Sequence, residues 1–126
     1  MRYAVVAAAT LLACGTFSIS ASAQEGDAAL GKTVFARCAI CHKVEKGAGN
    51  GLGPNLFGVV GRKAASVEGF EYSGPMKASG ITWTPENLSK WVAGPAKMVP
   101  MTKMAFPGIT SKGEVRNVVA YLETLK

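Results

Sequence analysis

The 126 residues carry 14 Lys and Arg against 8 Asp and Glu, a formal net charge of +6, and 48% of them are hydrophobic. That length holds one domain and leaves no room for two. The basic excess points to acidic protein partners or an anionic surface, while nucleic acid is a poor fit because no basic cluster is interleaved with aromatics.

Met1-Arg2 followed by the apolar run from Ala4 to Ala13 reads as a secretory leader, with Ala21-Ser22-Ala23 as its small-residue cleavage pattern. Residues 1–23 are therefore expected to be removed, leaving 103 of the 126 residues as a single domain from Gln24 onward in the periplasm. The apolar run is too short for a stable membrane span. Leu11-Leu12-Ala13-Cys14 offers a competing lipoprotein processing site, which would anchor the chain through Cys14. Loss of Arg2 leaves 13 basic side chains against 8 acidic ones, a formal +5. Cys38 and Cys41 are then the remaining cysteines, which suits an oxidising compartment.

Asp27 is placed to cap a first helix running through Leu30, Val34, Phe35, Cys38 and Cys41, an apolar series at helical spacing. This series leads into Cys38-Ala39-Ile40-Cys41-His42. Two thiols three apart each add to a vinyl group of one porphyrin, and the next residue offers an imidazole to its iron, so the stretch reads as a haem c attachment site. Zinc is the weaker reading: His42 is the sole histidine and no cysteine follows Cys41, so a fourth ligand is missing. A thioredoxin-like dithiol would need a preceding strand, and none is legible.

From Lys43 to Arg62 the pattern turns to loop, broken by Gly47, Gly49, Gly51, Gly53, Gly58 and Gly61. A loop this long in a small domain wraps something, here the porphyrin. Phe70, Tyr72 and Trp83 flank a short helical turn at Ser73–Lys77; Tyr72 and Trp83 each join an apolar body to one polar hydrogen, which serves a core or a porphyrin carboxylate equally. Thr84-Pro85-Glu86 opens a helix with Leu88, Trp91 and Val92 on its apolar face, and Gly94-Pro95 closes it. Ala96 to Ile109 has no periodicity. Ser111-Lys112-Gly113-Glu114 has capping-box form and starts a last helix that buries Val115, Val118, Val119, Leu122 and Leu125. The fold class is all-α around a cofactor, closed by pairing of the terminal helices.

With one histidine spent, the opposite face of the iron takes methionine, lysine, water or nothing, and composition does not choose among Met76, Met98, Met101 and Met104. Two filled axial sites make an electron carrier, whereas an open one makes a peroxidase-like enzyme or gas sensor. A haem subunit of a dehydrogenase or oxidase complex is a third possibility. The enzyme reading lacks a spare histidine to serve as acid or base.

Beyond the haem motif, Gly53-Pro54-Asn55-Leu56-x-Gly58, Gly61-Arg62-Lys63, Gly69-Phe70-x-Tyr72, Gly80-Ile81-Thr82-Trp83 and Thr102-Lys103-Met104-x-Phe106 occur in that order. Together these resemble class I cytochrome c, in its short mitochondrial-like form and among its exported bacterial relatives. The resemblance implies an electron carrier, not an enzyme, that works as a monomer with redox protein partners. It makes Met104 the sixth ligand and gives Pro54 the role of carbonyl acceptor for the second nitrogen of His42. It places Arg62, Tyr72 and Trp83 at the haem propionates, and brings Gly31 and Phe35 against the last helix near Val118 and Tyr121. Met76 and Trp91 depart from the mitochondrial pattern, as do Gly49, Gly51, Ala96, Thr110 and Ser111, which stand where lysines ring the haem edge. Arg37, Lys97, Lys103 and Lys112 remain as the expected docking charges.

Overall fold

The computed structural model describes residues 25–126; the leader expected over residues 1–23 and Cys14 lie outside them. Its helices are α1 (Ala28–Phe35), α2 (Gly74–Ala78), α3 (Pro85–Ala93), α4 (Pro95–Met98) and α5 (Lys112–Glu123). Among the described residues the only ladder is an isolated bridge between Lys63 and Thr82.

Each longer helix starts where the sequence supplies an acceptor for an orphan N–H. Asp27 takes the amide of Leu30 at 2.9 Å, Thr84 that of Asn87 at 3.1 Å and Ser111 that of Glu114 at 3.3 Å. Pro75, Pro85 and Pro95 fill first-turn positions, where no amide hydrogen is needed.

The first and last helices pair as expected. Gly31 lets α1 approach the backbone of α5 so closely that a side chain there would run into the Asn117 carbonyl. Phe35 and Tyr121 stack tilted with centroids 5.2 Å apart, and Asn117 Oδ1 accepts from the Asp27 amide at 2.8 Å. Val118, Val119 and Leu122 of α5 meet Val34 and Phe35 of α1 and Leu88, Trp91 and Val92 of α3 in one core. The half-exposed Arg37–Glu114 pair adds little to this pairing.

Three details differ from the sequence reading. The first helix stops at Phe35, and residues 36–41 continue as tight turns, with the Cys38 amide on Phe35 O (2.8 Å) and that of Cys41 on Cys38 O (3.0 Å). Mixed three- and four-residue turns, with the Ala39 amide also on Phe35 O (2.9 Å), keep the cysteines in step without a continuous α-helix. Leu30, placed in the apolar series, is 57% exposed because it lies off the line of Gly31, Val34 and Phe35. Pro95 also begins α4, which the non-periodic reading of that stretch missed.

Candidate functional site

The turns after α1 set Cys38, Cys41 and His42 together. The His42 amide donates to Cys38 O at 2.9 Å, one helical turn back, and both cysteines are free thiols. Burial raises the Cys38 thiol above its ordinary range, with Arg37 pulling the other way.

His42 is held by the following loop. Its Nδ1 lies 2.7 Å from Pro54 O, and since a carbonyl only accepts, Nδ1 carries the hydrogen and Nε2 keeps its lone pair. Burial lowers the imidazole's proton affinity, opposed by that carbonyl, which favours the neutral form a metal requires. Gly53 lies flat against the ring: a Cβ there would sit 2.7 Å from Nδ1 and 2.9 Å from Nε2. The Gly53 amide in turn donates to Cys41 O at 2.9 Å, locking loop to turn.

The loop is stitched by asparagines. The Asn55 amide group reaches Glu45 O (2.9 Å) and Gly49 O (3.0 Å), and the Asn55 N–H donates to Asn50 Oδ1 at 2.9 Å. The sequence reading quoted Asn55 only inside a motif; its signal was the habit of asparagine side chains of substituting for backbone in turns.

Arg62, Tyr72 and Trp83 come together beside this loop. The Trp83 amide donates to Arg62 O at 2.8 Å, and the Arg62 guanidinium reaches Phe57 O (3.1 Å) and Asn55 O (3.0 Å). Burial lowers the proton affinity of Arg62, with nearby Tyr72 acting against it. It forms no ion pair with a carboxylate among the described residues, and the hydrogen bonds of this half-buried cation go to carbonyl groups. The Tyr72 hydroxyl accepts from the Val67 amide at 3.2 Å and keeps its own hydrogen to donate. Trp83 is buried, its ring 5.4 Å from that of Trp91.

Met104 arrives on the segment between α4 and α5. Its amide donates to Thr102 Oγ1 (3.3 Å), and Lys103 Nζ ties the segment to Glu71 O (3.3 Å). Burial now separates the four methionines: Met76 is enclosed on α2, Met101 is 86% exposed, and Met98 and Met104 are half-buried against the core.

The donor set fits haem c on its own chemistry. Two free thiols, a neutral imidazole with one nitrogen satisfied, a glycine-lined ring face and a cation without a counter-charge are what a porphyrin with vinyl and carboxylate groups requires.

The family model for cytochrome c matches residues 28–126. Among curated relatives, cytochrome c2 of Rhodoblastus acidophilus is 46% identical over 101 residues, covering 80% of this chain and 94% of its own. Cytochrome c-554 of Methylosinus trichosporium is 44% identical over 115 residues, covering 90% and 87%. Among solved structures, cytochrome cH from Methylobacterium extorquens superposes with a TM-score of 0.74 at 48% identity, covering 79% of this chain and 99% of that one. The chain belongs to the cytochrome c family, with the all-α class I fold, covalently attached haem c and its iron, and it is an electron carrier that works with redox partners, not an enzyme.

Proposed function

We propose that the chain is exported to the periplasm, loses residues 1–23 and works there as a monomer that passes single electrons between redox proteins with acidic docking surfaces. Cys38 and Cys41 would hold the haem as thioethers through its two vinyl groups, and His42 Nε2 and Met104 Sδ would bind its iron. Arg62, Tyr72 and Trp83 take the propionates, which supplies the charge that Arg62 lacks. Bound haem supplies a one-electron change at iron with no bond made or broken.

The observation that carries this reading is the His42–Pro54 contact at 2.7 Å. It fixes the tautomer, orients the ring and strengthens Nε2 as a donor. Among the described residues no helix is long and apolar enough to cross a membrane, which agrees with a carrier that moves between partners.

The test uses the exported holoprotein, whose intact mass should place its N-terminus at Gln24. In the ferric state the wild type should show the far-red band of a methionine-to-iron bond. Met104→Ala should lose that band and bind cyanide rapidly; unchanged spectra with no new ligand binding would remove Met104 from the iron.

A further inference from the structure

Met101 stands where its backbone disfavours a side chain. The segment Val99-Pro100-Met101-Thr102 closes on a bond from the Thr102 amide to Val99 O at 3.2 Å, with Pro100 second and Met101 third at φ 62°. Those features define a type II turn, whose third position suits glycine because an L side chain there crowds the backbone. Ala65 is the other non-glycine residue with positive φ among the described residues, and it packs against the core. Met101 is 86% exposed and does not pack on the core. Neither turn geometry nor burial accounts for a methionine here, and a strained residue held without packing points to a use for its side chain.

The thioether is the chemistry that methionine brings. It yields two electrons to peroxides, and exposure decides which methionine does so first. Met76 is buried at 7% exposure, and Met98 and Met104 are half-buried against the core, so among the described residues Met101 carries the most open sulfur. It lies three residues before Met104 on the same segment.

We infer that Met101 is an oxidation site for hydrogen peroxide that intercepts the oxidant ahead of Met104. The guarding role rests on the reading of Met104 as an iron ligand. The Met101 sulfur lone pair attacks one peroxide oxygen, the O–O bond breaks, and the departing hydroxide takes up the proton of the transferred oxygen and leaves as water. Sulfur is oxidised by two electrons to the sulfoxide, and the peroxide is reduced by the same two. Because Met101 adds nothing to the core, the polar sulfoxide leaves the packing intact, whereas the same oxygen on Met76 would be buried. Sulfoxides are reducible by enzymes, and an exposed turn keeps this one within their reach.

The test treats ferric holoprotein with no more than an equimolar amount of hydrogen peroxide, runs it to exhaustion, and maps added oxygen by peptide mass alongside the far-red band. One oxygen should appear on Met101 before any other methionine, with the band and the reduction potential unchanged. Met101→Leu keeps an exposed apolar side chain in the turn but has no sulfur, and at the same dose it should lose a larger share of the band than wild type. Oxygen arriving first on Met98 or Met104 would overturn the site. Equal band loss in variant and wild type would overturn the guarding role. A wild type without the band before treatment would instead defeat the reading of Met104 as ligand and the guarding role with it, while the mass map would still decide whether Met101 oxidises first.

Discussion

Gly53→Ala tests how the loop holds the His42 imidazole. Elsewhere a Gly→Ala change at an allowed backbone angle stabilises by about 0.4–1 kcal/mol through the unfolded chain, and Gly53 is outside the left-handed region, so a gain is the default. Here the new methyl would lie 2.7 Å from His42 Nδ1 and closer still to Cε1. Carbon contacts are comfortable at about 3.5–4.0 Å, so ring or loop must yield by about 1 Å. Neither is free to move: the His42 amide is held by Cys38 O and the Gly53 amide by Cys41 O, both at 2.9 Å. Overpacking of this kind costs about 1–3 kcal/mol, and loss of the Pro54 bond adds about 0.5–1.5 kcal/mol. The sum, about 1.5–4.5 kcal/mol, should move the urea midpoint of the holoprotein down by roughly 1–2 M. The ferric spectrum should change in parallel as the ring rotates. An unchanged or raised midpoint with a wild-type spectrum would refute the claim that Gly53 is the wall that sets the ring.

Gly31→Ala poses the same contest at the helix pair: helix propensity favours alanine by about 1 kcal/mol, but the methyl would run into the Asn117 carbonyl and lie 2.9 Å from Tyr121 Cβ. Overpacking costs about 1–3 kcal/mol and so outweighs the propensity gain by up to about 2 kcal/mol, read as a lower urea midpoint; a higher one would mean that α1 and α5 separate without loss. Glu71 is held below the ordinary carboxylate range by its bond to Lys77, with Lys103 assisting. Its contribution is therefore present above the unfolded-state value of 4.5 and lost as pH falls through the lower folded value. Thermal melts of wild type and Glu71→Gln should differ near neutrality and converge in acid; a gap that widens in acid would contradict the sign.

Much of this arrangement was legible because local chemistry and tertiary need agree. Asp27, Thr84 with Pro85, and Ser111 with Glu114 mark helix starts in the sequence and are helix starts in the structure. The run from Phe35 to Cys41 was not, since residues three apart stay in line through tight turns as well as through an α-helix. Pro95 ends one helix and begins the next, and only its first role is written locally. The two thiols and the imidazole announced themselves by spacing. The Gly53 wall and the Asn50–Asn55 stitching depend on how the loop returns over the ring, which no window of sequence contains.

The Asp27–Asn117 bond joins positions 90 apart, and α1 and α5, at 8 and 12 residues, are too short to persist alone. Closing so long a loop costs about 4 kcal/mol in chain entropy before any contact repays it. During synthesis, then, α1 has no partner until α5 leaves the ribosome. The nascent chain stays pliable until then, and its fold settles only once both helices are free to meet.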